Sequence, residues 1–515
     1  PPLKTIRLST LKILKEFQKA GGTVIFAGKP ADYVNATASS AVKQFAKKCV
    51  RVSGIGKELL EIAGKTCHHV SITDEAGKEI GTILYLLKQD KDTLYLFMCN
   101  TSHKASELKA DLSDPRVENR KEAFPDVYIR LFTRLNGQPL ELDPETGSVT
   151  TPEAVRINDS WKLHTNFPPL KSRLFIVPKR KSKKIFPALK CYAVVNKKTL
   201  VRKRWQIRLS EPNVLVLDRP RYRIGKAKWQ SSDEILKVDR KVRSSLRLPL
   251  RNALMMQPWA QEHKARLRHI TVHLAYSINI EKIPKLPLFL ALEQPQLFSI
   301  LINGNELSAD SECGWWVDKS LRKIPVDTVF LRSGRNEIKL TCEYDENYSG
   351  LEAIYLLGAF GVRVRGCEVS LASMPVFLKQ GDWCAQGLPF YSGSVTYLTT
   401  IQQKLHKGER LFIAVPSYSG VALRILVNGQ VAGIFPWAPN EVDITDYLTK
   451  SVNEIGIEVI SHRRNSHGPL HISEKLPLSV GPGAFETSGA KWQDAYQLVR
   501  CGLMEAPSLL VKRRI

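Results

Sequence analysis

The run Ser461–His471 (SHRRNSHGPLH) holds the densest set of side chains able to do chemistry. His462, Arg463, Arg464, Asn465, His467 and His471 follow the apolar stretch Ile455–Ile460. Planar Arg and Asn groups present paired donors and acceptors that suit sugar hydroxyls or a carboxylate. The histidines are spaced by five and four residues, which is no compact zinc motif on a strand-to-loop segment. The same run also reads as a hydrogen-bonded loop that ties one domain to its neighbour. A second group is aromatic: Trp383, Phe390 and Tyr391, to which Trp437 could add. Such rings stack on sugar faces, and equally they fill cores.

Two further groups invite other chemistry. Glu343, Asp345, Glu346 and Asn347 crowd into CEYDENYSG and could hold Ca²⁺, although the EF-hand register and its glycine are missing. A solvated loop is the alternative reading. Nearby Glu352 reads as a carboxylate inside an apolar strand, where it needs a partner. Basic runs at 179–184 (KRKSKK), Arg202–Arg208 and Arg219–Lys228 could contact phosphates, with Trp205 stacking on a base. No helix-turn-helix, zinc finger, RRM or KH signature accompanies them, and the basic residues are spread along the chain. Nucleic acid is therefore disfavoured against solvated faces or acidic polysaccharide.

The elements that must position these residues are mostly short strands. The 515 residues carry 76 Lys+Arg and 50 Asp+Glu, a net charge of +26, with 43% hydrophobic residues. That composition is globular and excludes a chain disordered throughout. No apolar run reaches the roughly 18–20 residues of a spanning helix, so a membrane is not expected as a partner. The nine cysteines show no C-x-x-C pair, which argues against a metal site or disulfide framework and leans towards a reducing, cytoplasmic setting. An extracellular setting stays open if the substrate is a polysaccharide. Several cysteines, such as Cys99 in LYLFMCN, read as core thiols.

Residues 1–66 have α/β character. Ser9 caps a helix with Leu11, Ile13, Leu14 and Phe17 on its apolar side. Gly21-Gly22 ends it and Thr23–Gly28 forms a strand, with further helical patterns at Ala41–Cys49 and Lys57–Ala63. From about residue 67 the helical period disappears. Strand-like runs parted by turn residues predict β-sandwiches over 67–185, 186–365 and 366–515. The second half repeats an order of features. Ile302-Asn303-Gly304, a Trp pair at 315–316 and Asn336-Glu337-Ile338 match Val427-Asn428-Gly429, Trp437 and Asn453-Glu454-Ile455. Asn-Gly favours the type I′ turn of a tight hairpin, so the repeat predicts two related jelly rolls.

That order resembles the non-catalytic C-terminal region of large glycoside hydrolases of the family 2 and alpha-L-rhamnosidase type, whose galactose-binding-like jelly rolls carry Val-Asn-Gly, a Trp and a later Asn-Glu-Ile. Gly387–Tyr397 (GLPFYSGSVTY) is similar to the opening strand of such a sandwich, and Arg464–His471 to its Arg-Asn-x-x-Gly-Pro-x-His stretch. Leu14–Gly28 resembles the end of the flavodoxin-like domain that follows the catalytic barrel in several of these enzymes. The resemblance implies a mainly β fold of galactose-binding-like jelly rolls after a partial α/β segment. It further implies a carbohydrate-binding and structural role beside an upstream catalytic domain, because no strand-helix series here is long enough for a (β/α)₈ barrel. Trp383, Phe390, Tyr391, Trp437, His462, Arg463, Arg464, Asn465 and His467 are the residues expected to touch sugar. A lectin-like or scaffold protein without catalysis is the other reading.

Overall fold

The computed structural model describes residues 3–514 apart from 57, 60, 64–68, 102–121, 145–146, 181–184, 189–191, 251–267, 450, 474–480 and 486. The chain is mainly β and builds several β-sandwiches after a small α/β segment. It divides into two compact units, one spanning 1–105 with 118–189, the other running from 190 to the end. Part of the helix expected at 57–63, most of the basic run 179–184, and Cys67 and Cys191 lie outside the described residues. The other seven cysteines are free thiols. No helix among the described residues is long and apolar enough to cross a membrane.

In the first unit, helix Leu8–Lys19 and helix Ala41–Ala46 accompany two short parallel strand pairs, Thr5–Ile6 with Tyr33–Val34 and Ile25–Ala27 with Val50–Val52. Ile6, Leu11, Ala31, Val42 and Phe45 form its small core. Ser9 does not cap the first helix, which starts one residue earlier. The first free amide, Leu8 N, is instead satisfied at 3.0 Å by Asn35 Oδ1, a distant side chain doing the work of a local cap. An antiparallel sandwich follows. One sheet orders Glu153–Ile157, Ser160–Phe167, Phe124–Phe132 and Val70–Thr73; the other orders Val149–Thr150, Leu140–Leu142, Ser172–Pro178, Thr93–Asn100 and Ile83–Gln89. Strict alternation drives their packing: Leu94, Leu96 and Met98, with Phe175 and Val177 on the adjacent strand, face Val127, Ile129 and Leu131 of the other sheet. Cys99, next to Met98, therefore points to the outer face and is no core thiol.

The second unit holds two sandwiches with separate cores. The first pairs Asn213–Leu217, Ile354–Ala359, Lys285–Glu293, Asp318–Pro325 and Trp315–Trp316 against a sheet centred on His269–Ile280 and Gly334–Asp345. The second places Tyr192–Thr199, Ser508–Arg514, Glu409–Ala414 and Glu441–Asp443 against a sheet centred on Ser394–Ile401 and Asn453–Ile460. Strand pairing does not divide where the sequence suggests. Tyr192–Thr199 pairs with Ser508–Arg514, and Trp205–Leu209 pairs with Ser394–Ile401, so the stretch before 210 completes the C-terminal sandwich. Trp205 is buried in that core and cannot stack on a base.

The repeat is a structural one. Asn303 and Gly304 have φ of 49° and 88°, and Asn428 and Gly429 have 51° and 80°, as a type I′ hairpin requires. In each sandwich the turn asparagine then reaches the neighbouring strand. Asn303 Nδ2 donates to Asn336 Oδ1 at 2.7 Å, and Asn303 Oδ1 accepts from Glu337 N at 2.9 Å. Asn428 Nδ2 donates to Asn453 Oδ1 at 2.8 Å, and Asn428 Oδ1 accepts from Glu454 N at 3.0 Å. Both second asparagines are buried and also accept from a backbone amide four residues upstream, Arg332 N and Thr449 N. The two asparagines thus lock hairpin to strand with their polar groups satisfied.

Candidate functional site

The loop Ser461–His471 leaves the buried strand Asn453–Ile460 and contains one short helical turn, Arg464–His467. Its side chains go in different directions. Arg463 forms a forked ion pair with Glu211, whose Oε2 accepts from Nη2 at 2.9 Å. Glu211 lies where the chain crosses from Trp205–Leu209 of one sandwich to Asn213–Leu217 of the other, so this pair fastens the loop to the crossing. Asn465 is fully buried; its amide donates to Val499 O at 2.7 Å and accepts from Val499 N at 2.8 Å, as a strand partner would. His462 Nε2 stands 3.2 Å from Cys501 Sγ. Burial pushes the imidazole down and the thiol up to about 11, so the pair is neutral and not an activated thiolate. The Arg464 guanidinium packs against Gly468, where a Cβ would lie 2.5 Å from Arg464 Cδ.

His467 does something else. Its ring forms a triangle with Trp316 and Tyr355, at centroid distances of 5.1 and 5.2 Å, the two aromatics themselves lying 5.2 Å apart, and its Nδ1 meets Ser466 Oγ at 2.7 Å. Burial, with Arg463 nearby, pushes its pKa down to about 4.

The expected aromatic platform does not exist. Trp383, Phe390 and Tyr391 are each 0% exposed, so no ring face is left for a sugar. Trp383 and Tyr391 meet edge-on at 6.2 Å inside the C-terminal sandwich, while Phe390 joins the other core. The Tyr391 hydroxyl accepts from Ser210 N at 3.1 Å and donates to Ser394 O at 2.9 Å. These residues weld the two sandwiches instead. Trp437, 38% exposed, stands alone on the loop after Gln430–Phe435.

The acidic run is also committed. Glu343 accepts from Thr271 Oγ1 at 2.6 Å, Glu346 pairs with Arg268 at 2.6 Å, and Asp345 accepts from Asn347 N at 2.7 Å. Among the described residues no three His, Cys, Asp or Glu side chains are grouped to hold a metal ion. Glu352 is exposed and precedes the strand Ile354–Ala359, so it is not buried within it.

Chemistry gathers in a cavity of about 380 Å³ in the second unit. Five carboxylates line it, from Asp218, Glu234, Glu293, Asp318 and Glu352, together with His467, His471, Tyr355 and Phe485. Three of the acids stand at the ends of strands. Asp218 follows Asn213–Leu217, Glu293 ends Lys285–Glu293, and Asp318 opens Asp318–Pro325. Asp218 is buried and takes the Tyr496 hydroxyl at 2.6 Å and His471 Nε2 at 3.1 Å. Glu234 caps helix Ile235–Ser245, accepting from Leu236 N at 3.0 Å and Lys237 N at 3.1 Å. Desolvation, with the neighbouring charge of Asp218, still pushes its carboxyl up to about 7. Asp318 accepts from Ser320 N and Oγ, both at 2.8 Å, and these bonds hold its carboxyl below the usual range. The result is an acceptor-rich pocket with aromatic walls, of the size that takes small ligands. A larger groove of about 750 Å³ is lined by Glu281, Arg363, Asp382 and Gln386 among others. Its polar groups are mostly spoken for: Arg363 pairs with Glu281 at 2.6 Å, and Asp382 caps Cys384 N at 2.9 Å and Cys501 N at 3.1 Å.

Of the residues singled out by sequence, only His467, His471 and Glu352 meet in the cavity. Asp218, Glu234, Glu293 and Asp318 were missed because they are single acids scattered over a hundred residues. The one local signal was the run Ser231-Ser232-Asp233-Glu234 ahead of an apolar periodicity, a helix start.

No family model matches this sequence, and no curated protein matches it. Among solved structures, similarity extends to the rhamnosidase of Novosphingobium sp. PP1Y, with 13% identity, a TM-score of 0.41, and coverage of 99% of this chain and 33% of that one. The α-L-rhamnosidase of Streptomyces avermitilis aligns at 9% identity and TM-score 0.18 over 63% of this chain and 40% of its own. The β-glucuronidase of Bifidobacterium dentium aligns at 19% identity and TM-score 0.20 over 30% and 29%. The chain spans about a third of the length of the Novosphingobium enzyme.

Proposed function

We propose that this chain is the carbohydrate-binding and structural part of a glycoside hydrolase, and that its saccharide site is the cavity walled by Asp318, Glu293, His467 and Tyr355. The catalytic carboxylates then belong to a domain upstream of residue 1. The cavity carries this reading: it joins acceptors for sugar hydroxyls to aromatic surface within a volume of about 380 Å³. The sequence motifs shared with galactose-binding-like jelly rolls support it. The test is a glycan array probed with the 515-residue chain. Binding of one glycan class is expected, and an array without signal overturns the reading.

The scaffold reading draws on a different observation. The loop and aromatic residues expected to hold sugar are used in packing, through Arg463–Glu211 and the buried Trp383, Phe390 and Tyr391. Under that reading the two sandwiches only brace their neighbours.

A further inference from the structure

We propose that the strand Ile83–Gln89 pairs edge to edge with the same strand of a second copy of this chain, about a twofold axis at Leu86. The inference is independent of the saccharide reading and starts from what one sheet leaves open. Ile83–Gln89 is the outermost of five strands and pairs with Thr93–Asn100 alone. Its seven residues run ILYLLKQ, with no proline, a single charge at Lys88, and a register free of bulges. Leu84, Tyr85 and Leu86 are 59%, 45% and 54% exposed. Such an edge is a template for another strand, and folded chains usually blunt it with charge, proline or a bulge. Tyr192–Thr199, an edge strand of similar length in the second unit, has that protection in Lys197, Lys198 and a shift of register between Val194 and Asn196.

The ladder fixes which groups face outward. Thr101 N donates to Thr82 O and Asp90 N donates to Thr93 O, both at 3.0 Å. Hydrogen-bonded pairs alternate along an antiparallel ladder, so the even-numbered residues bond across to Thr93–Asn100. Tyr85, Leu87 and Gln89 therefore turn their amides and carbonyls to the open edge. The side chains of Tyr85 and Leu87 lie on the core side, opposite Met98 and Leu96, and those of Leu84, Leu86 and Lys88 on the outer side. An incoming strand must be apolar on both faces and must offer outward main-chain groups two residues apart. A second Ile83–Gln89 meets both conditions. Turned antiparallel about Leu86, it sets Tyr85 against Leu87 of the copy as a hydrogen-bonded pair, and the axis repeats that pair. Leu86 meets Leu86 in the closer, non-hydrogen-bonded position. Lys88 lies opposite Leu84 of the copy and covers it with its aliphatic stem. The two lysines stand about 13 Å apart, four residues at roughly 3.4 Å each, so no like charges meet in the contact. The repulsion between two chains of net +26 is screened beyond about 8 Å at physiological salt. The contact is isologous and closes at two chains.

The test is sedimentation velocity of the full chain over a range of concentrations. The parent should show a monomer–dimer equilibrium in the micromolar range, as for a contact at the small end of interface sizes. Leu86→Lys sets two ammonium groups face to face and should weaken association at least about tenfold, and Leu86→Glu should do the same with two carboxylates. An equimolar mixture of the two variants should recover association, because residue 86 faces itself across the axis and Lys then meets Glu. Residue 86 is exposed, and cooperative unfolding of each variant checks that it is folded. A parent that stays monomeric overturns self-pairing. So does a dimer that survives Leu86→Lys, and so does a mixture that fails to reassociate.

Discussion

Residue type told which side chains matter, but not what for. Trp383, Phe390 and Tyr391 read as a sugar platform from chemistry that is equally the chemistry of a core, and the structure uses them as core. Trp383→Ala should therefore cost about 3–5 kcal/mol of stability in denaturant unfolding, the range for deleting a large buried ring. A variant of unchanged stability would contradict its burial. Two residues of the cavity make a further prediction through proton linkage. Glu234, at about 7 in the folded chain against 4.5 in the unfolded one, makes the native state bind more protons between those values. Its contribution to stability is thus lost as pH rises through that window. His467, at about 4 against 6.5, makes the unfolded state bind more, so its contribution grows as pH rises. Between about pH 4.5 and 6.5 the two slopes oppose. Glu234→Gln removes one of them. Its stability relative to the parent should climb by about 1 kcal/mol per pH unit over that range, within the limit of about 1.4 for one proton. Parallel pH profiles for parent and variant would contradict this.

Elements show why some of the fold was legible and some was not. The Asn-Gly hairpins could be read directly because a type I′ turn is set by two adjacent residues, and the repeated Asn-Glu pairs marked the strands they clamp. Asn303→Gly and Asn428→Gly keep the positive φ but delete the side-chain bonds. Each loses three side-chain hydrogen bonds, the third to Phe330 O or Tyr447 O, and should cost about 3 kcal/mol, at roughly 1 per bond. Lying in separate sandwiches, the two should add to within about 0.5 kcal/mol in the double variant. Marked non-additivity would mean that the cassettes are not independent. The sandwich boundary was not legible. Tyr192–Thr199 shows strand character, but nothing local in it names Ser508–Arg514 as its partner across some three hundred residues. Ser9 failed as a cap for the same reason, because the group that satisfies Leu8 N is Asn35. Cys99 failed by a single residue of register, which in a strand reverses the face.

At the scale of the whole molecule, charge and site part company. The net +26 invites an acidic partner, yet the cavity of about 380 Å³ is walled by five carboxylates. It is assembled from strand ends, a helix cap and a loop between residues 218 and 485, a pattern no window of sequence displays. Beforehand, sequence showed the loop end, in the Arg-Asn-x-x-Gly-Pro-x-His stretch that contributes His467 and His471, and singled out Glu352. The central claim is that this cavity, and not the loop or the buried aromatics, receives sugar. The most direct measurement is the affinity of the best array glycan for the parent chain and for Asp318→Ala and His467→Ala. A loss of at least about tenfold is expected in each, measured on variants that still unfold cooperatively, as for a polar contact within a small site. Unchanged affinity in both variants would place the binding elsewhere and contradict the account.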